Sequence, residues 1–339
     1  MKVISWNLKN VSLNKLTKPN AFQPLFQSYG MGNTVLDFVT NVVMGAEQWE
    51  GVISSAPVDL FVVIELKTGG SRKGANVSGN CLPTLVAIRD AMNAAVVAMG
   101  HNPQDFTYEY IVPVVTGRHE TVGFIFNTKE LTPTALALER NTVTDAYLPG
   151  RTPLVATFNV VSQPATSLRF SGIHDPPPSG GAAVRMRPPI DFCRQLVNTP
   201  SAAVRNTFFL GDFNCQPTDT YMNGNGVAVS PFSNLTNYGT ELANNSLSSV
   251  RKRLDNNQAG SAVYLSAPYD NNISWVTPNI VISTGMEEVA DLIGEAKNTT
   301  FDPPDDLYPA RGRAVLNAYN TVSDHLPVIT EFSVLPVAT

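Results

Sequence analysis

Short apolar runs rich in β-branched and aromatic residues recur from one end of this chain to the other, and several stop abruptly at a carboxylate, an amide or an imidazole. Val3–Trp6, Leu60–Leu66, Tyr110–Val115, Val122–Phe126, Leu154–Val161, Leu168–Ile173, Thr207–Leu210, Asn279–Ile282 and Val328–Val334 are continuously apolar or loosely alternating. That pattern predicts strands covered on at least one face. Helical spacing is confined to Leu82, Leu85, Val86, Met92, Val96 and Met99, to Ile190–Val197 behind Pro188-Pro189, and to Thr34–Met44. Strands mixed with a few helices indicate an α/β or α+β layered fold.

With 339 residues, 43% of them hydrophobic and 15% charged, the chain can bury a large core. Its net charge of −5 argues against a protein that grips nucleic acid through a broad basic surface, but a local basic groove or a bound cation would suffice for an enzyme. The three cysteines, Cys81, Cys193 and Cys215, are too scattered for a disulfide framework or a zinc site. No apolar run approaches the ~20 residues of a membrane span. Met1–Trp6 reads as a strand rather than a secretory signal, so a cytoplasmic protein or one exported by a non-classical route is expected. Stretches rich in Gly, Asn, Ser and Pro at Thr68–Asn80, Pro176–Ala183, Gln216–Asn225 and Asn298–Asp306 read as surface loops long enough to touch a substrate.

The chemistry lies where the strands end. Alternation places Asp212 and Asn214 on one face of Leu210-Gly211-Asp212-Phe213-Asn214, puts Val3, Ser5 and Asn7 on a common face, and groups Phe61 and Val63 with Glu65. His174-Asp175 closes Leu168–Ile173, and Asp324-His325 precedes Leu326-Pro327. Any one of these could be an Asx turn or a charge emerging into solvent. Together they are what phosphoester hydrolysis requires: oxygen ligands for a hard cation, a carboxylate to orient water, and imidazoles with acidic partners. Glu120 and Asp270 are available as those partners. His101 and His119 sit in polar, turn-like contexts and read as surface residues.

The ordered set Ser5-Trp6-Asn7, Ile64-Glu65, Gly117-Arg118-His119-Glu120, Gly172-Ile173-His174, Gly211-Asp212-Phe213-Asn214, Tyr269-Asp270-Asn271 and Ser323-Asp324-His325-Leu326-Pro327 resembles the endonuclease/exonuclease/phosphatase superfamily, and most of all its deoxyribonuclease I-type enzymes. Because it spans nearly the whole chain, the resemblance implies a single domain over residues 1–339, folded as a four-layer sandwich of two packed mixed β-sheets flanked by helices. It implies Glu65 as the main metal ligand, with Asn7 and Asp324 beside it. Asp212 and Asn214 would orient water and the scissile phosphate, His174 and His325 would flank that phosphate, and Glu120 and Asp270 would support the two rings. Arg151 would reach the DNA backbone, and Arg118 would be a second substrate-binding residue. The cofactor implied is Mg2+ or Mn2+, with Ca2+ a further candidate. The chain departs from the deoxyribonuclease I pattern in having Arg118 before His119-Glu120, and Asn271-Asn272-Ile273 rather than an arginine after Asp270.

The resemblance therefore implies a monomeric, divalent-metal-dependent nuclease that hydrolyses DNA, as an endonuclease, with RNA left open. Any inhibitor or delivery partner is undetermined by the sequence. The alternative is a phosphatase or phospholipase C-like phosphodiesterase acting on a phosphoinositide or sphingomyelin-type head group. A catalytically dead binding module would be expected to have lost one of the residues above. Further basic residues near the loops are Arg72, Lys73, Arg185 and Arg187. The only compact basic cluster, Arg251-Lys252-Arg253, reads as a solvated helix end or a phosphate contact.

Overall fold

The computed structural model describes residues 1–19, 34–45, 56–70, 72–117, 119–140, 144–147, 151–175, 206–215, 221–222, 227–229, 240–242, 249–250, 265–267, 269–283, 288–290, 292 and 319–336. The strands in chain order are β1 (Lys2–Val11), β2 (Leu60–Lys67), β3 (Tyr108–Ile111), β4 (Glu120–Asn127), β5 (Leu131–Leu138), β6 (Leu154–Val160), β7 (Gln163–His174), β8 (Thr207–Asp212) and β9 (Tyr221–Met222). They continue with β10 (Ala228–Val229), β11 (Thr240–Leu242), β12 (Ser249–Val250), β13 (Leu265–Ala267), β14 (Asp270–Trp275), β15 (Ile280–Ile282), β16 (Glu288–Val289) and β17 (Val328–Val334). One large sheet has the order β15-β17-β1-β2-β4-β3, with β16 also on β17, and the other has the order β11-β14-β8-β7-β6-β5. β9 with β10 and β12 with β13 form separate ribbons.

Both large sheets are mixed, and each holds a parallel pair: β1 with β2 in the first, β7 with β8 in the second. The sheets face each other across an apolar layer built from Val3, Leu60, Val62, Ile64, Phe124, Leu168, Phe170, Phe208 and Leu210. Through it runs a chain of rings, Phe126–Phe158–Phe170–Phe208–Phe332, with successive centroids 5.2, 5.9, 5.1 and 4.7 Å apart. Aromatic pairs of this kind stabilise beyond the area they bury. Closer to the site the filling turns polar: Ser5 Oγ bonds Asn272 Oδ1 at 3.0 Å, and Asn272 Nδ2 donates to Thr330 Oγ1 at 2.5 Å, which ties the two sheets together. The two packed mixed sheets are those of the sandwich expected above, and among the described residues helices cover the outer face of the first sheet.

The outer face of the first sheet carries α1 (Leu13–Leu16), α2 (Val35–Val43) and α3 (Cys81–Ala98). Thr34 caps α2 reciprocally, accepting from the Asp37 N–H while Asp37 Oδ2 accepts from the Thr34 N–H at 3.0 Å. In α3, Pro83 sits in the first turn, where its missing N–H costs nothing. By length and composition alone α3 could cross a membrane, where the sequence reading expected no such run. Its Cys81, Leu85, Ile88, Met92 and Val96 form a buried stripe against the first sheet. The helix expected at Ile190–Val197, the loops Pro176–Ala183 and Asn298–Asp306, and Arg185, Arg187 and the Arg251-Lys252-Arg253 cluster lie outside the described residues. Among the described residues Cys81 and Cys215 are buried thiols that form no disulfide.

Several strands depart from the expectation, among them β3, β5 and β14. β3 ends at Ile111 because Pro113 cannot donate to a ladder, so the run Tyr110–Val115 is only partly strand. β5 was not anticipated: it is an edge strand, exposed through most of its length and carrying Pro133. β14 was not anticipated because its inward residues Asp270, Asn272 and Ser274 are polar.

Phe208 stacks on rings from both sheets, so Phe208→Ala should destabilise the fold by about 3–5 kcal/mol in denaturant unfolding. A loss below ~1 kcal/mol would show that the ring chain does not hold the sheets together.

Candidate active site

The carboxyl ends of both parallel pairs converge at one end of the sandwich. β1 alternates as expected: Ile4, Trp6 and Leu8 pack toward the helices, while Ser5 and Asn7 point at the second sheet. β2 does not. Phe61 and Val63 face the helices, and strict alternation would send Glu65 after them. Instead Glu65 takes φ 61°, the pairing register shifts between Val63 and Leu66, and its carboxylate turns inward to meet His174 Nε2 at 3.1 Å. The shared face expected for Phe61, Val63 and Glu65 is thus broken by a bulge.

On the second sheet, register does the positioning. His174 of β7 and Asp270 of β14 both pair directly with Asp212 of β8, so the three side chains stand in one row. Gly211, at φ 128°, permits this: a Cβ there would collide with the Ile173 carbonyl. Gly172 lets Val122 of the first sheet pack close beside His174. Past Asp212 the chain forms an Asx turn, with the Asn214 N–H on Asp212 Oδ1 at 2.8 Å and Asn214 itself at φ 47°. Asn214 Nδ2 donates to the Asp175 carbonyl at 2.8 Å. The turn and the site are the same feature.

Asp212 lies at the centre, 1% exposed. Its Oδ2 accepts from Asn7 Nδ2 at 3.1 Å and stands 3.7 Å from His174 Nε2 and 3.7 Å from His325 Nε2. Each ring has a carboxylate behind it: Glu120 Oε1 is 3.1 Å from His174 Nδ1, and Asp270 Oδ2 is 2.7 Å from His325 Nδ1. Arg151 closes the His174 side, ion-paired to Glu120, with Nη1 3.1 Å from His174 Nε2 and 3.4 Å from the Asp175 carbonyl. A neutral ring could accept from Arg151, but three carboxylates around His174 outweigh one guanidinium and favour the imidazolium. Glu120 Oε1 thus pairs with both Arg151 Nε and His174 Nδ1.

The His325 segment is fastened through its backbone. Its carbonyl accepts from Trp6 Nε1 at 2.9 Å and from Tyr319 Oη at 2.7 Å, and its N–H donates to Ser323 Oγ at 3.0 Å. Ser323 in turn donates to the Asn7 carbonyl. Asp324 Oδ2 meets Lys9 Nζ at 2.7 Å. Tyr319 and Lys9 escaped sequence reasoning; each lies beside a motif residue only after folding. Arg118 lies outside the described residues. His119 is exposed at φ 65°, and its carbonyl accepts from the Thr68 N–H at 2.7 Å.

Burial governs the electrostatics, and pairing then reverses it. Burial would raise the Glu65 carboxyl, but the bond and charge of His174, with the Asn10 N–H and Asn7, bring it down to about 2. Burial would likewise lower both imidazoles; Glu120 and Glu65, joined by Asp212, lift His174 to about 9, while Asp270 and Asp212 lift His325 to about 10. Asp212 is raised to about 6 by burial, with Asp270 adding to the rise and the two imidazoles opposing it. Carboxylate and amide oxygens suit a hard divalent cation. Glu65, Asp324 and the amide of Asn7 offer oxygens of that kind. A second group able to hold a cation is Asp212, Asp270 and His325, whose ligand atoms lie within 4.8 Å of one another. There, however, His325 Nδ1 is already committed to Asp270.

No protein-family model and no curated protein matches the chain. Solved structures do match it, over 98% of its length. They include a functionally unknown conserved protein from Enterococcus faecalis (12% identity, all of that chain, TM-score 0.49) and an endonuclease/exonuclease/phosphatase family protein from Leptotrichia buccalis (11% identity, 99% of that chain, TM-score 0.49). The human Nocturnin catalytic domain with bound sulfate also matches (12% identity, 93% of that chain, TM-score 0.47).

The raised imidazoles make a direct prediction for the cation-free protein. Their pairs contribute their full stability below the ordinary histidine value of 6.5, and that stability is lost as pH rises through about 9 for His174 and about 10 for His325. An NMR titration of the cation-free protein should show two rings still protonated at pH 7.5; midpoints near 6.5 for both would contradict the pairing.

Proposed function

We propose that this chain is a divalent-cation-dependent phosphodiesterase of the endonuclease/exonuclease/phosphatase type that hydrolyses DNA as an endonuclease, acting as a single domain and a monomer. One observation carries the reading: two imidazoles, each backed by its own carboxylate, direct Nε2 at the same buried oxygen of Asp212, 3.7 Å away in both cases. A group that accepts a proton between two that carry one is the arrangement in-line attack of water on a phosphate requires.

Glu65, Asn7 and Asp324 would hold Mg2+ or Mn2+, which when bound polarises a phosphoryl oxygen and offsets charge on the leaving oxygen. Asp212, raised close to neutrality, orients the attacking water and takes its proton. Asn214 fixes the Asp212 carboxylate through its N–H. The imidazolium N–H groups of His174 and His325 donate to the phosphoryl oxygens, and one of them returns a proton to the leaving oxygen as the P–O bond breaks. Glu120 and Asp270 keep the rings oriented and charged. Arg151 stands beside His174 and reaches the same phosphate from that side, and Arg118, two residues before Glu120 in the sequence, is a further candidate for substrate binding. The preference for DNA comes from the deoxyribonuclease I-type pattern of the motifs.

A supercoiled-plasmid assay tests this reading. Nicking should require Mg2+ or Mn2+ and vanish in chelator, and Asp212→Ala and His325→Ala should each slow it at least ~10²-fold. Near-normal rates in either variant would remove that residue from its proposed role. Phosphate release from a lipid head group, without cleavage of DNA or RNA, would replace the nuclease with the phosphatase or phospholipase-like alternative.

A further inference from the structure

β1 leaves its sheet through an unusual corner. Lys9 and Asn10, neither of them glycine, both adopt left-handed backbone, at φ 45° and 54°, where the register with β2 slips between Asn7 and Val11. Two such residues in succession are costly, and strand pairing alone does not demand them. Their effect is to place three donors on three particular side chains. The Lys9 N–H donates to Asn7 Oδ1 at 2.9 Å, the Asn10 N–H donates to Glu65 Oε2 at 2.8 Å, and Lys9 Nζ sits 2.7 Å from Asp324 Oδ2. The corner is pinned by Lys15, whose Nζ reaches the carbonyls of Leu8 at 2.6 Å and Lys9 at 2.9 Å. One dipeptide therefore engages Asn7, Glu65 and Asp324 together.

We propose that Lys9 is the resident counter-ion of the cation site. Its ammonium holds Asp324 in place while no divalent ion is bound and gives up that carboxylate when one enters. Cation binding is then an exchange of ammonium for metal, and Lys9 sets its affinity. The inference rests on the reading that Asn7, Glu65 and Asp324 hold the cation. The two backbone N–H bonds fix Asn7 and Glu65 whether or not an ion is present, so the side chain of Lys9 is the part of the corner that competes. A positive charge within a few ångströms of an entering divalent ion opposes it, more weakly as salt rises.

Calorimetric titration of Mn2+ into the full-length, substrate-free protein decides the matter. Lys9→Met and Lys9→Gln should bind Mn2+ roughly tenfold more tightly than the wild type at low ionic strength, while Lys9→Arg, which keeps the charge, stays within about threefold. Glu65→Gln should lose at least ~10-fold in affinity. Unchanged or weaker binding by folded Lys9→Met and Lys9→Gln, with Glu65→Gln impaired, would overturn the role of Lys9 and leave the ligand set standing. Wild-type Mn2+ affinity in Glu65→Gln would overturn the ligand set, and the inference about Lys9 with it.

Discussion

The carboxylate of Asp212 is buried between two β-sheets, and the rest of the site exists to make that tolerable. An unpaired ion at such depth would be neutralised or would unfold its surroundings. Here Asn7 donates to it from the facing sheet, the Asn214 N–H from its own turn, and two imidazolium rings stand at equal distance on either side. The rings need compensation in their turn, which Glu120 and Asp270 provide. The result is an alternation of groups, carboxylate–imidazole–carboxylate–imidazole–carboxylate, from Glu120 through Asp212 to Asp270.

That alternation depends on the sheets meeting in one register. His174 and Asp270 are placed by strand pairing with Asp212, whereas Asn7 and Glu65 come from the opposing sheet and meet Asp212 and His174 only where the two sheets pack together. The ring chain from Phe126 to Phe332 and the Ser5–Asn272–Thr330 bonds set that packing. Gly172 and Gly211 remove the side chains that would hold the layers or strands apart. Fold and chemistry are therefore coupled most directly at the polar layer, where Asn272 lies two residues along β14 from Asp270.

Much of this was legible in the sequence, and the remainder was hidden for physical reasons. Asn7, His174, Asp212 and Asp324-His325 stand out because each interrupts or follows an apolar run that has to be buried. Glu65 was visible by the same logic, but its face was misassigned: alternation cannot anticipate a bulge, and the bulge is what turns the carboxylate inward. β14 hid because the face it buries belongs to the site, so Asp270, Asn272 and Ser274 mimic a loop. Lys9 acts on Asp324 from the other end of the chain, and Tyr319 reaches the His325 carbonyl from nearby in sequence but outside any motif. The deoxyribonuclease I-like order of motifs supplied the two-sheet architecture, which residue periodicity alone left as a generic layered fold.

The most direct test of the account is a crystal of the protein with Mn2+ and a phosphorothioate dinucleotide that resists hydrolysis. The anomalous signal of the metal should lie within about 2.0–2.4 Å of Glu65 and Asp324 oxygens, with the phosphate between the His174 and His325 rings. A metal bound instead by Asp212, Asp270 and His325, or a phosphate seated away from the two rings, would contradict it.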